Sequence, residues 1–302
     1  GYRRKDDFYR SFALEECLLL SALGNEVIKL VSRRLSEAGI EEAGIMKRKS
    51  GLGYVVYREN RKHGQMVNFV FFGEISAKIN PLCEELVDAG VQSVNLLLNE
   101  TWGDTAYGKV ARSCGADHIT EELLGNKFLV NANTFFQTNV ESAERIFSLV
   151  LGKVGEGENV LDLYCGVGAI SIALAQKCGR VVGIESSFES VSSARRNAVA
   201  NGAGNASFIC WNVDRMVGHM RGFDTFIIDP PRAGMNPKAI NGVLGLGPRK
   251  IIYISCNPET LCRDIKMLEG YETKELLAFD QFPQTLHMEM LAVLEKKPVA
   301  AA

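Results

Sequence analysis

The stretch YISCNPETLCRD, Tyr253 to Asp264, sets Cys256 between an apolar run and an Asn-Pro turn, with Cys262 six residues on. A cysteine so placed can pack a core, pair with Cys262 on a metal, or act as a nucleophile. The eight cysteines, at 17, 83, 114, 165, 178, 210, 256 and 262, contain no C-x-x-C pair, and the histidines are scattered, so zinc or iron–sulfur ligation lacks a ligand set and no metal is expected. Position speaks for chemistry, because KIIYIS reads as a strand that delivers Cys256 to its carboxyl end. Other strand-like runs end on groups that could work with it. DLYCGVGAIS carries Gly166 and Gly168 in a tight turn before a helix, with Ser171 where a full G-x-G-x-x-G would have its third glycine. VVGIE ends on Glu185, 17 residues beyond Gly168, where a carboxylate can accept hydrogen bonds from both hydroxyls of a ribose. FDTFIIDPPRAG ends on Asp229, aimed by a Pro-Pro step that fixes φ twice and offers no N–H.

A glycine turn with an acidic strand end implies a nucleoside-containing cofactor, either NAD or S-adenosylmethionine. The Asp229-Pro230-Pro231 step disfavours a dehydrogenase. It is similar to the Asp/Asn-Pro-Pro-aromatic pattern of amino-nitrogen methyltransferases, but Arg232 replaces the stacking ring and speaks against that activity. A cysteine beside a methyl donor answers a different problem. Carbon 5 of a pyrimidine is too poor a nucleophile to take a methyl group until a thiolate adds to carbon 6. A thiol of ordinary pKa near 8.5 is mostly protonated at neutral pH, so surroundings that lower it are expected. After transfer a base must remove the carbon-5 proton. DQFPQTLHMEML offers Asp280, His287 and Glu289, of which Glu289, between Met288 and Met290, has the apolar setting that raises a carboxyl pKa, with His287 the alternative.

The elements that must hold these groups follow from periodicity. After about Asn139 short apolar runs alternate with helical patterns, which predicts an α/β fold with a parallel sheet covered by helices on both faces and ligands beyond the strand carboxyl ends. Residues 1–125 read as a smaller α+β domain, with a helix from Leu14 to Ala38, strands in GYVVY and QMVNFVFFG, a helix near 77–88 and a strand near 92–99; a further strand is expected near 127–130, just past that boundary. The second domain is 126–302. At 302 residues, 46% hydrophobic and without an uninterrupted apolar run of about 18, the chain is expected to be a soluble intracellular protein. It opens on Gly1 rather than Met, which leaves a further N-terminal module open. A net charge of −2 does not advertise a polyanion partner, so any nucleic-acid surface must be local. The candidate is Lys47, Arg48, Lys49, Arg58, Arg61 and Lys62, facing only Glu59 and interleaved with Tyr54 and Tyr57.

Taken together, LDLYCGVG, IIDPPRAG, ISCNPETLCRD and FPQTLHMEML resemble the RNA uracil-5 methyltransferases, over Phe135 to Lys296 and in that family's order. The resemblance implies a Rossmann-like class I methyltransferase sheet, S-adenosylmethionine as cofactor and RNA as partner, tRNA favoured over rRNA. It implies Cys256 as nucleophile and Glu289 rather than His287 as base. NTFFQTN looks like the family's F-x-Q-x-N element, so Gln137 would contact the methionine part of the cofactor and Phe135 the target uracil. Tyr164, Gly166, Glu185, Asn212 and Asp229 would complete the cofactor site, with Asp229 near the adenine or the base-pocket wall and Arg232 on the substrate side. Many bacterial relatives also carry a β-barrel RNA-binding module and a four-cysteine iron–sulfur segment. Neither is recognisable here, which makes the basic stretch a candidate substitute. The rival expectation is a non-catalytic RNA-binding or chaperone-like protein that keeps the fold.

Overall fold

A computed structural model describes residues 2–3, 11–12, 14–44, 46 and 48–298. The chain divides into two compact units, Gly1–Glu121 with Asn131–Asn133, and Glu122–Val130 with Thr134–Ala302.

In the first unit, the short antiparallel strands β1 (Tyr2–Arg3) and β2 (Ser11–Phe12) precede α1 (Ala22–Glu37). The remaining elements are β3 (Gly51–Glu59), β4 (Gln65–Phe72), α2 (Asn80–Asp88), β5 (Ser93–Asn99) and β6 (Lys109–Gly115). The four long strands form one sheet in the order β3-β4-β5-β6. Val67, Phe69 and Phe71 of β4 pack with Val27 and Val31 of α1 and Leu86 of α2. Helix α1 begins later than its apolar pattern suggests. Ser21 accepts from the Gly24 N–H at 2.9 Å and caps it, and Asn25 holds the preceding turn through both Cys17 backbone groups, so Leu18 and Leu19 lie outside the helix and are exposed.

The basic stretch does not face Glu59 alone. Lys49 pairs with Glu41 at 3.1 Å, Arg61 pairs with Glu121 at 3.6 Å, and Arg58 donates to the Asn131 carbonyl at 3.4 Å. Acidic partners distant in sequence were invisible to a local count of charge. Lys47 lies outside the described residues.

A hairpin, β7 (His118–Leu123) and β8 (Asn126–Asn131), turns on Leu124 and Gly125, whose φ values of 52° and 73° suit a two-residue primed turn. Helix α3 (Val140–Lys153) follows, its first turn capped by Asn139, which accepts from the Ser142 N–H at 3.1 Å. Then strand and helix alternate: β9 (Asn159–Leu163), α4 (Ala169–Ala175), β10 (Arg180–Glu185), α5 (Phe188–Ala200), β11 (Ala206–Cys210), α6 (Val213–Met216), β12 (Thr225–Ile228), α7 (Pro237–Leu246), β13 (Lys250–Ser255) and α8 (Pro258–Met267). Two long strands, β14 (Tyr271–Phe279) and β15 (Glu289–Lys296), close the unit. The sheet order is β11-β10-β9-β12-β13-β15-β14, with β9 to β13 parallel and β15 antiparallel to both neighbours. One face packs against α3, α4 and α5 through residues such as Phe147, Ile172 and Val191, the other against α7 and α8 through Ile240, Val243 and Leu261. This is the Rossmann-like methyltransferase sheet expected from the sequence, and its order reverses between β9 and β12, where the carboxyl-end crevice opens. No helix among the described residues is long and apolar enough to cross a membrane.

Candidate active site

The glycine turn leaves β9 through Tyr164, Gly166 and Gly168, all at positive φ (65°, 53° and 81°). A tyrosine in that region is uncommon and signals a backbone held by its surroundings. Here the holding bonds are the Tyr164 and Cys165 N–H groups on the Ile184 carbonyl, at 2.9 and 3.2 Å. Gly168 starts α4, and a Cβ there would lie 2.8 Å from the Phe208 ring. The turn is tied to the next strand end as well. Glu185 accepts from the Gly166 N–H at 3.3 Å with one oxygen, and from the Ser187 N–H (2.8 Å) and Ser186 hydroxyl (3.1 Å) with the other. Beneath the turn Asp162 is buried, accepts from Ser171 Oγ at 2.5 Å, and is pushed up to about 7 by burial. Sequence reasoning passed over Asp162. The signal was Ser171, a hydroxyl where the glycine pattern breaks. Asn212 sits exposed at the end of β11, starting α6 with its side chain making no capping bond.

The Asp229 loop is fastened from an unexpected side. Asp264 of α8 is fully buried and accepts from the Met235 N–H (2.7 Å), the Tyr253 hydroxyl (2.6 Å) and Arg263 Nε (2.8 Å). Arg263 also donates to the Ala233 carbonyl at 2.9 Å, and Asn257 and Thr260 donate to the Arg232 carbonyl at 3.3 and 3.4 Å. The helix that begins two residues after Cys256 therefore holds the loop that begins at Asp229. Arg232 itself is exposed. Asp229 is half-buried, and burial with the neighbouring Glu289 and Asp162 pushes its carboxyl well up. Asp264 and Arg263 were in the quoted sequence, but nothing local marked them as fasteners.

Cys256 and Glu289 meet through strand register. Ser255 faces Met290 as the last pair of the antiparallel β13–β15 ladder, and Cys256 and Glu289 are the residues next beyond it on the two chains, with Glu289 acting on the Cys256 thiol. Glu289 is 8% exposed, and burial raises its carboxyl to about 7. The thiol of Cys256 is also raised, by burial first and then by Glu289 and Asp229, with Arg232 opposing. This corrects the expectation of a lowered thiol: burial disfavours the thiolate, and the carboxyls of Glu289 and Asp229 at the neighbouring strand ends add to that. His287 is exposed, as is Phe135 at 67%. Gln137 lines a small cavity with Glu289, Gln281, Ile254 and the α3 residues Ala143, Ile146 and Phe147. Gln281, 1% exposed, was missed. It donates to Gln137 Oε1 at 3.5 Å and to the Asn139 carbonyl at 3.4 Å. Cys262 lies exposed on α8.

The family model described as tRNA (uracil-5-)-methyltransferase matches residues 113–297. An uncharacterised RNA methyltransferase of Caldanaerobacter subterraneus is 36% identical over 98% of this chain and 68% of its own length. The chain belongs to the tRNA (uracil-5-)-methyltransferase family. A second member, the tRNA (uracil(54)-C(5))-methyltransferase of Pyrococcus furiosus, is 35% identical over 98% of this chain and 70% of its own. The crystal structure of the Pyrococcus abyssi tRNA (uracil-54, C5)-methyltransferase in complex with S-adenosyl-L-homocysteine matches with a TM-score of 0.82 and 34% identity, over 97% of this chain and 72% of that one. Family membership gives the reaction class expected from the sequence, S-adenosylmethionine-dependent methylation at carbon 5 of uracil in RNA. The donor set of this family member fits that cofactor. A glycine cradle at Gly166 and Gly168 admits close backbone approach, and Glu185 stands at the β10 end, where a carboxylate can accept from a ribose.

Proposed function

We propose that the protein methylates carbon 5 of a tRNA uridine through a covalent adduct between Cys256 and carbon 6, with Glu289 as the base that ends it. The observation that carries this reading is that β13 and β15 pair up to Ser255 and Met290, so that Cys256 and Glu289 each stand one residue beyond the last pair, near enough for Glu289 to act on the Cys256 thiol. S-adenosylmethionine supplies an electrophilic methyl group on a positively charged sulfur. Gln137, Tyr164, Gly166, Glu185, Asn212 and Asp229 hold it, with Glu185 accepting from the ribose hydroxyls in its free lone-pair directions. The target uridine is extruded from its loop, because a stacked base exposes neither carbon 6 to a thiolate nor carbon 5 to a methyl donor. Phe135, an aromatic ring with 67% of its surface open, offers the extruded base a stacking face, and Arg232 offers its cation.

The thiolate of Cys256 would add to carbon 6 and the ring's electrons reach carbon 5, which takes the methyl group as the methyl–sulfur bond breaks and its pair stays on the sulfur, leaving S-adenosylhomocysteine. Deprotonating Cys256 against nearby Asp229 and Glu289 is costly, and Arg232 is the protein cation that opposes this. Glu289 then removes the carbon-5 proton, and the thiolate leaves as the double bond re-forms. A base raised to about 7 is matched to that task near neutral pH. The first unit contacts the RNA body in this reading, although Arg58, Arg61 and Lys49 already face protein partners. The tRNA target, with position 54 the first to test, rests on the relatives' substrates.

The experiment is methylation of unmodified tRNA and rRNA by the purified protein, with 5-methyluridine located by mass spectrometry. Methylation of tRNA that disappears with Cys256→Ala is expected. Normal turnover by Cys256→Ala would sink the adduct scheme, and label found in rRNA alone would remove the tRNA assignment.

A further inference from the structure

Gln281 shares a small cavity with the proposed base, and half of its amide is unexplained. It is 1% exposed, its Nε2 donates to the Asn139 carbonyl and to Gln137 Oε1, and Asn139 Nδ2 returns a bond to the Gln281 carbonyl at 2.9 Å. A backbone carbonyl can only accept, so the Asn139 contact fixes which end of the Gln281 amide is nitrogen. The other end, Oε1, is then buried with no hydrogen bond among the described residues. A buried acceptor without a donor is rare and asks for a function. Gln281 lines the cavity whose other walls are Ala143, Ile146, Phe147 and Ile254, all apolar, with Gln137 and Glu289. Gln137 presents its oxygen to Gln281, and Glu289 is the lining residue that becomes a donor on gaining a proton.

We propose that Gln281 is a positioning residue that receives the hydrogen bond of the Glu289 carboxyl once Glu289 has taken the carbon-5 proton. The inference rests on the reading of Glu289 as base. In that step the carbon 5–hydrogen bond breaks and an O–H bond forms on Glu289. The released electron pair closes the carbon 5–carbon 6 double bond, and the carbon 6–sulfur bond returns its pair to Cys256. An acceptor waiting for the new O–H favours the product of the step and strengthens the base. Among the described residues, the titratable groups that Glu289 acts on are Asp229 from the end of β12 and the thiol of Cys256 from the end of β13, while the α3 side chains lining the cavity are apolar and Gln281 follows the end of β14.

The test compares Gln281→Met, which keeps length but removes the acceptor, with Gln281→Glu, which keeps an acceptor in place. Decay of the denaturant-resistant protein–RNA adduct is followed in single turnovers against pH, with S-adenosylhomocysteine affinity and thermal unfolding as controls on the fold. Gln281→Met is expected to lower the midpoint of the pH dependence by about one pH unit and slow decay about tenfold, the worth of one hydrogen bond to the neutral acid. Gln281→Glu is expected to raise the midpoint. A wild-type midpoint in Gln281→Met, or slower decay at an unchanged midpoint, would overturn the proposal. Should that variant not fold, an unchanged or lowered midpoint in Gln281→Glu does the same. Glu289→Gln separates the two ideas: trapping of adduct there with no effect of Gln281 removes only this inference, while turnover without trapping removes the base assignment and this inference with it.

Discussion

The substitution Glu289→Gln should make the protein more stable while disabling it. Glu289 is 8% exposed and burial takes its carboxyl from 4.5 to about 7. A carboxyl whose folded pKa is raised contributes stability that is fully present below its unfolded value near 4.5 and is lost as pH rises through about 7. At pH 8 the buried ionised form costs about 3 kcal/mol relative to a group that cannot ionise, at about 1.4 kcal/mol per decade of pKa. Glutamine is close in shape and carries no such cost, and it also relieves Asp229, which Glu289 pushes up. Stability of the variant over wild type should thus grow from about zero at pH 4 to about 3 kcal/mol at pH 8. Urea unfolding reports this through Trp211, a residue of the second unit, in a Trp102→Phe background that silences the chain's other tryptophan. A stability difference that stays flat across this pH range, or a variant weaker than wild type at pH 8, would refute the claim that a buried carboxylate is held there at a cost. The same variant incubated with tRNA and cofactor should accumulate a protein–RNA band that survives denaturing gels.

Gly168→Ala meets a φ of 81° and a Cβ position 2.8 Å from the Phe208 ring, so a loss of about 2 kcal/mol or more in unfolding experiments is expected, with weakened S-adenosylhomocysteine binding by calorimetry. Asp264→Ala leaves the Tyr253 hydroxyl, the Met235 N–H and Arg263 without their acceptor, and should cost about 3 kcal/mol. Tyr253→Phe removes one of those bonds and should cost about 1 kcal/mol, with both values read from chemical denaturation. Adduct decay in the wild type should rise with pH through about 7 as Glu289 ionises, and a profile flat from pH 5 to 9 would speak against that group.

The sheet was legible because its strands are apolar on both faces and alternate with helices, so that KIIYIS and FDTFIID announce themselves. The strand-end positions of Glu185, Asp229 and Cys256, on which the proposed site draws, were legible too, because each follows an apolar run. What stayed hidden are partners made by folding rather than by spacing. Asp264 looks like an ordinary helix carboxylate until Tyr253, eleven residues back, and Met235 meet it. Gln281 reads as a turn residue until β14 carries it beneath Gln137. The start of α1 was misjudged because Leu18 and Leu19 keep helical period, whereas the Ser21 cap and the Asn25 side chain decide where the helix begins.

The misjudged thiol carries the most mechanism. A reactive cysteine is ordinarily expected to be lowered by a cation or a helix start, yet Cys256 is raised by burial first and then by Glu289 and Asp229. If Glu289 and Asp229 make a resting thiolate unfavourable, the enzyme stays unreactive toward stray electrophiles until positive charge arrives, and both a cationic sulfur and Arg232 can supply it. Substituting Asp229→Asn should then raise the alkylation rate of Cys256 by iodoacetamide at pH 8, because one of the opposing carboxylates is gone. Arg232→Ala should lower it, since Arg232 works in the other direction. Equal rates in the wild type and both variants, measured by mass spectrometry of the Cys256 peptide, would show that these charges do not govern the nucleophile.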